Sequence, residues 1–243
     1  MVFFQDMQRE RQPFLNAPAT VLWLIGLLLA AHFARVWAPP PWPDTVLFQY
    51  AFIPARYTSA ALALGLPPAN LFELIINFVS YMFLHGNFLH VALNSLWLLA
   101  FGPIVALRLK PAKFLLFFFF CGIVSAAAHM AVYWGAAEEV VGASGGVSGL
   151  LAAAIRLMYG HLYYRGDPQV AAPAPLAPIL SKPILGFTAL WIVTNVIGGV
   201  TGLGLVDDTT AVAWVAHLGG YFAGLFAIGV FDRSSQPAPV RSG

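Results

Sequence analysis

The chain has little charge and almost no cysteine. Only 9% of its 243 residues are charged, against roughly 25% in soluble domains, whereas 60% are hydrophobic. The net charge of +2 is too small to indicate a nucleic-acid partner. The single cysteine, Cys121, lies in an apolar run and cannot form an intramolecular disulfide. These shortages argue against a soluble or disulfide-stabilised domain and indicate that most of the chain is solvated by lipid.

Six long apolar blocks dominate the rest of the sequence. Most of them reach the roughly 20 residues that a helix needs to cross a bilayer. The first block is longer than the apolar part of a signal peptide, and five more follow it, which favours a retained helix. The pattern predicts an all-α membrane protein, a six-transmembrane-helix bundle with spans near 19–37, 80–101, 112–134, 145–160, 184–199 and 212–231.

The segments outside the blocks predict a single membrane domain. We expect that domain over residues 19–231, a short cytoplasmic tail at 1–18 and a flexible cytoplasmic tail at 232–243. The connection at 161–183 is rich in proline and alanine and is typical of an irregular loop. The outer loop at 38–79 is apolar enough to lie in the membrane interface.

The basic residues predict the orientation in the membrane. Ten of the twelve lysines and arginines lie on one side of the predicted spans, and only Arg35 and Arg56 lie on the other. Arg156 is assigned to the basic side, around the connection of the fourth and fifth spans. Because cytoplasmic loops carry the excess of basic residues, both termini are expected in the cytoplasm.

Polar residues inside the spans fall into three clusters, and such residues default to functional candidates. The second span carries HGNFLHVALN, in which His90 and Asn94 share one helical stripe. The fourth begins at Ser144 in GASG, and the sixth carries His217 in AWVAHLGG. The topology places all three clusters in the outer half of their spans. A fourth span of only about 16 residues would cover about 24 Å, so this short helix is expected to start below the outer surface.

These residue types together supply the groups that acyl transfer needs. A serine hydroxyl becomes a nucleophile when a base takes its proton, and His217 lies at the depth of Ser144. All ten acidic residues fall in tails, loops or span ends, so the expected arrangement is a Ser–His dyad. Asn94, His90 and the Ser144 backbone N–H are candidate oxyanion donors. Small-xxx-small spacing of glycines on the fourth and sixth spans would bring the two helices together.

Each residue also has a structural interpretation. Ser144 could be only a helix N-cap, His217 only a packed histidine, and His90 with Asn94 only a bridge between helices. His85 lies off the stripe and is expected to anchor the outer loop. A metal site is not expected, since no HExxH or cysteine pair is present. The coincidence of nucleophile, base and oxyanion donors at one depth favours catalysis.

The three clusters resemble those of the rhomboid family of intramembrane serine proteases, in its bacterial-type six-helix form. The matching stretches are HGNFLHVALN, GASGGVSGLL and AHLGGYFAG, in the same order. The resemblance implies Ser144 as nucleophile, His217 as general base, and His90 with Asn94 around the oxyanion. It also implies transmembrane protein substrates cut near the outer end of their helix, no metal or other cofactor, contact with membrane lipid, and a bacterial inner membrane.

The sequence departs from the family pattern at three places. Ile76 and Asn77 stand where many members have Trp-Arg, Ser148 stands in place of an aromatic residue, and Ala106 stands in place of an acid. Two other functions stay open: an inactive rhomboid-like protein that binds membrane clients, and a small transporter. The glycine-rich connection at 198–211 predicts a lid over the site, which moves together with the fifth span.

Overall fold

The computed structural model describes residues 17–59, 61–66, 68–163, 175–201 and 210–232, with side chains left aside at 161–163, 200–201 and 210–213. Regular structure in these residues is helical apart from one isolated β-bridge, which confirms the all-α prediction. Predictions for the two tails and for most of the connections at 161–183 and 198–211 lie outside the described residues. The α-helices of the described residues are α1 (Ala19–Val36), α2 (Trp42–Tyr50), α3 (Leu71–Ser80), α4 (Phe88–Leu109), α5 (Pro111–Val132), α6 (Ser144–Tyr163), α7 (Lys182–Thr201) and α8 (Thr210–Phe231).

Five helices of the described residues are long and apolar enough to cross a membrane. They are α1, α4, α5, and the Lys182–Gly199 and Trp214–Phe231 parts of α7 and α8. The protein is therefore a multi-pass integral membrane protein. The predicted fourth span corresponds to α6, which is not one of these five in the described residues.

The length predicted for the fourth helix was wrong. The helix α6 has 20 residues, which cover about 30 Å at 1.5 Å per residue. Its backbone is helical from Ser144 to Tyr163, beyond the apolar run from which the prediction was made. The boundary was missed because backbone hydrogen bonding sets the ends of a helix, whereas the prediction used only the apolar run.

The second span was placed about eight residues too early at each end. Residues 80–101 were predicted, but α4 runs from Phe88 to Leu109. Its start is fixed by Asn87, whose side-chain oxygen accepts the His90 backbone N–H at 2.9 Å as an N-cap. At the other end the helix continues through Pro103 and stops at Lys110, which has φ 66°.

The outer segment before α4 folds onto the segment that leads into α6. Phe52 and Val140 form a β-bridge with N–H to O distances of 3.1 and 2.8 Å. The fully buried Asn77 donates from its amide nitrogen to the Gln49 carbonyl at 3.2 Å. Asn77 thus anchors this segment at one of the positions where the sequence lacks the Trp-Arg pair.

The helices α6 and α8 pack backbone to backbone. A Cβ added to Gly220 would lie 3.0 Å from the Gly145 Cα and would overlap its carbonyl oxygen. A Cβ on Gly224 would meet the Gly149 backbone in the same way. The close approach predicted from the two glycine pairs is confirmed, and it places the N-terminal half of α6 beside α8.

Charged groups tie the helices together at the end of the bundle opposite to Ser144. Arg108 of α4 forms an ion pair with Asp232, just after α8, at 2.8 Å. Arg156 lies inside α6, is only 8% exposed, and donates to the carbonyls of Ala177 at 3.1 Å and Leu225 at 2.7 Å. Arg156 therefore joins α6 both to the connection that precedes α7, at Ala177, and to α8, at Leu225.

Candidate active site

The segment before α6 presents Ser144 as the first residue of the helix. Gly142 has φ 117°, and its N–H donates to the Tyr81 carbonyl at 2.9 Å. The Val147 N–H donates to the Ala143 carbonyl at 3.0 Å, which puts Ala143 at the N-cap position. Ser144 therefore does not cap this helix, and the N-cap interpretation of its side chain is wrong.

The Ser144 side chain contacts His217 of α8. The distance between Ser144 Oγ and His217 Nε2 is 2.9 Å, although the two residues are 73 positions apart in the sequence. Both side chains are partly buried. The backbone beside the histidine is held from α5, since Ser125 Oγ donates to the Ala216 carbonyl at 2.6 Å. A serine hydroxyl that can donate to a histidine nitrogen is the geometry of an activated nucleophile.

A third side chain, Asn195 of α7, completes the arrangement. Its Oδ1 lies 3.0 Å from His217 Nδ1, and its Nδ2 donates to the Trp191 carbonyl at 2.8 Å. The bond to Trp191 assigns the amide, because the opposite orientation would set Oδ1 against a carbonyl oxygen. Oδ1 only accepts, so Nδ1 carries the proton and the Nε2 lone pair faces Ser144 Oγ.

Sequence reasoning missed Asn195 because it looked for an acidic partner for the histidine. The signal was available, since Asn195 is an amide inside a predicted span and such residues default to functional candidates. It also shares a helical face with Thr188 and Trp191, at spacings of three and four residues. That face packs on Tyr221 of α8, with Thr188 Oγ1 2.9 Å from the tyrosine hydroxyl.

His90 of α4 lies beside Gly142, two residues before the serine. A Cβ added to Gly142 would lie 2.7 Å from His90 Nε2 and 3.7 Å from Ser144 Oγ. The absence of a side chain at Gly142 thus makes room for the imidazole beside the serine. The first N–H groups of α6 have no partner within their helix, so they are available to an oxyanion in the same place.

Asn94 lies one turn after His90 on α4 and is 5% exposed. Its amide nitrogen donates to the His90 backbone carbonyl at 3.0 Å. An amide nitrogen carries two N–H groups, so this bond uses one of its two donors. His90 and Asn94 thus occupy one face of α4 near the start of α6, as their spacing predicts.

His85 supports the segment that leads into Ser144. It lies in the linker between α3 and α4, outside the spans, and it is fully buried. Burial and then the nearby His90 lower the pKa of His85 to about 3, so its ring is neutral. Its Nε2 accepts the Ala143 N–H at 3.4 Å, and its ring packs edge-on against His90 with centroids 5.1 Å apart. The predicted anchoring role of His85 therefore extends to the approach to α6.

A family model of the rhomboid domain matches residues 73–233, about two thirds of the chain. The chain belongs to the rhomboid family. No curated protein matches it. The family comprises intramembrane proteases and rhomboid-like proteins and implies membrane-protein substrates in general.

The matched rhomboid domain contains every predicted site residue. Ser148, which stands in place of an aromatic residue of many rhomboid proteases, is 3% exposed and lies one turn beyond Ser144 on α6. Within the described residues, no group of three or more His, Cys, Asp or Glu side chains is placed to hold a metal ion. The candidate site in this rhomboid domain comprises Ser144, His217, His90, Asn94 and Asn195.

Proposed function

We propose that this rhomboid protein is an intramembrane serine endopeptidase that works through a Ser144–His217 pair. The observation that carries the proposal is the 2.9 Å contact between Ser144 Oγ and His217 Nε2. A histidine that only packs between helices requires no hydroxyl at its ring nitrogen. A general base requires one within hydrogen-bonding distance, and Ser144 supplies it. The half-buried position of both side chains leaves the hydroxyl reachable.

The proposed reaction is acyl transfer to the serine followed by hydrolysis. His217 Nε2 takes the proton of Ser144 while Oγ attacks the carbonyl carbon of the scissile peptide. The carbonyl oxygen becomes an oxyanion beside His90, Asn94 and the first N–H groups of α6. The imidazolium then protonates the leaving amine, and the acyl-enzyme forms. Water, deprotonated by the same nitrogen, releases the acid and regenerates Ser144.

The proposed substrates are transmembrane proteins cut near the outer end of their helix. The proposed site residues lie in the N-terminal halves of α4, α6 and α8. The distribution of basic residues orients those halves outward and both termini toward the cytoplasm. We take α6 as the fourth of six spans in a membrane domain at 19–231, placed in a bacterial inner membrane and in contact with lipid.

The alternative is an inactive rhomboid-like protein that binds membrane clients. Such a protein has no need of an aligned nucleophile and base, yet both are present and in hydrogen-bond contact. A transporter would need polar residues along the whole depth of the membrane. Here Ser144, His217 and Asn195 are joined by hydrogen bonds at one end of the bundle, and the charged groups at the other end pair with each other or with backbone carbonyls, which favours the protease.

A fluorophosphonate probe and a transmembrane model substrate test the proposal together. Purified protein in liposomes is expected to label with the probe and to cleave the substrate, whereas Ser144→Ala and His217→Ala are expected to do neither. Ser148→Ala is the matched control, because it removes a buried hydroxyl from the same helix one turn further on. Cleavage by purified Ser144→Ala would refute the assignment, as would an unlabelled wild-type protein.

A further inference from the structure

We infer that Asn195 is a positioning residue for the base, so that the working unit is a Ser144–His217–Asn195 triad. This inference rests on the proposed function and adds to it a neutral amide in the place where an acid is usually found. The residue touches neither nucleophile nor substrate and acts only through the histidine.

The first argument is the proton count on His217. A neutral imidazole has one N–H, and a general base for Ser144 must keep its Nε2 lone pair free. Asn195 Oδ1, 3.0 Å from Nδ1, accepts a hydrogen bond from an Nδ1–H and cannot donate one. The amide therefore selects the tautomer that the reaction requires, and it still accepts this hydrogen bond once Nε2 has been protonated.

The second argument is that Asn195 is itself fixed. Its Nδ2 bond to the Trp191 carbonyl at 2.8 Å prevents the amide from presenting a donor to the histidine. Trp191 in turn stacks on Tyr221, one turn beyond His217 on α8, with ring centroids 5.9 Å apart. A chance polar contact between two membrane helices would not need this second layer of support.

The third argument is the contrast between Asn195 and its neighbour Thr194. The Thr194 hydroxyl donates to its own helix, to the Leu190 carbonyl at 3.0 Å and the Trp191 carbonyl at 3.1 Å. This is the usual way to satisfy an isolated polar group in a span. Asn195 makes the same kind of bond with its nitrogen and directs its oxygen away from α7, to the base.

The test compares three variants of the full-length protein in liposomes. Asn195→Leu keeps the shape of the side chain and removes the acceptor. Asn195→Asp restores an acceptor, and Thr194→Val is the matched control on the same helix. The measurements are kcat and KM for a transmembrane substrate, the rate of fluorophosphonate labelling, and the nitrogen NMR spectrum of ¹⁵N-histidine-labelled protein.

Asn195→Leu is expected to lower kcat and the labelling rate roughly ten- to a hundredfold, with KM changed by less than about twofold. Asn195→Asp is expected to recover most of the loss and to move the acid limb of the rate profile to higher pH, because a carboxylate favours the imidazolium. The spectrum of the wild-type protein should show the His217 proton on Nδ1.

Three results would overturn the inference. The first is a kcat for Asn195→Leu equal to that of Thr194→Val. The second is a loss of kcat that Asn195→Asp does not relieve. The third is a His217 proton on Nε2 in the wild-type protein. The last measurement needs no variant, so it decides even if Asn195→Leu fails to fold. A wild-type protein that neither labels nor cleaves would instead refute the proposed function, while the spectrum would still report the tautomer.

Discussion

Gly220 of α8 and Gly145 of α6 lie so close that no side chain fits between them. A Cβ on Gly220 would meet the Gly145 backbone, which cannot rotate away as a flexible side chain would. The contact lies next to the proposed catalytic pair, since Ser144 precedes Gly145 and His217 is three residues before Gly220. The spacing of the two helix backbones therefore sets the distance between the proposed nucleophile and its base.

Gly220→Ala is expected to abolish cleavage and to destabilise the protein. Overpacking a tight contact typically costs about 1–3 kcal/mol, and separating α6 from α8 would lengthen the bond between Ser144 and His217. Substrate cleavage and thermal unfolding in liposomes measure the two effects. Gly26→Ala is the matched control, because a Cβ on Gly26 of α1 meets nothing within 4 Å. Equal activity of the two variants would contradict a role of the glycine contact in catalysis.

Gly142→Ala is expected to impair the oxyanion site more than the fold. The new Cβ would lie 2.7 Å from His90 Nε2, so the imidazole must move away from Ser144. Gly135→Ala is the control for backbone strain, because φ is positive at both glycines, 79° at Gly135 and 117° at Gly142. A Cβ on Gly135 would contact only Thr58, at the ordinary distance of 3.8 Å. Both variants should lose about 1–2 kcal/mol of stability, and only Gly142→Ala should lose cleavage. If the two lose cleavage equally, strain explains the loss and the displacement of His90 does not.

Asn94→Ala is expected to slow the reaction without stopping it. Losing one oxyanion donor typically costs about 10²–10³ in turnover, and His90 and the backbone N–H groups of α6 remain. Single-turnover cleavage measures the effect. The neighbouring Ser95→Ala removes a polar group of α4 that has no hydrogen-bond partner within the described structure, so it should leave the rate unchanged. An unchanged rate for Asn94→Ala, with chemistry limiting, would remove Asn94 from the oxyanion site.

Tethering α7 to α4 is expected to block entry of a transmembrane substrate. Only 6% of the residues in the Lys182–Gly199 span are buried, against 39% in the Trp214–Phe231 span. Of these two spans, α7 therefore packs less extensively against the rest of the protein. The Trp97 and Trp191 rings meet edge to face with centroids 6.4 Å apart, which makes Trp97→Cys with Trp191→Cys a suitable pair for a short bis-maleimide.

The tethered protein should lose cleavage of the transmembrane substrate and keep its labelling by the small fluorophosphonate. Each single-cysteine variant treated with the same reagent is the control, and the native Cys121 is fully buried. If the tethered protein cleaves as fast as the untreated one, α7 does not admit the substrate.

The contact between Ser144 and His217 could be predicted from sequence because two independent patterns converge on it. Polar residues inside apolar spans mark function, and glycines four residues apart mark the faces that touch. The structure has both residues in contact and both glycine pairs packed together. The periodicity of a helix carries this information, so no boundary needed to be accurate.

The boundaries and the third residue of the site could not be reached in the same way. Residues 81–84 (YMFL) are apolar and were counted with the span, whereas the side-chain bond of Asn87 shows that α4 begins after them. The hydrogen bond of Asn195 depends on how α7 packs against α8, and one sequence does not show which faces of two helices meet. A search restricted to acidic partners then excluded the residue that binds Nδ1.

The buried Arg156 has a consequence for how the chain is made. An arginine inside a membrane helix costs up to about 3 kcal/mol during insertion from the translocon. One of its two acceptors, the Leu225 carbonyl, belongs to α8, which leaves the ribosome later than α6. Arg156 therefore gains this hydrogen bond only after the last helix has been made. Biogenesis of this protein ends with the same α6–α8 pairing that forms its proposed active site, so a chain released early would have neither a stable α6 nor a base for its serine.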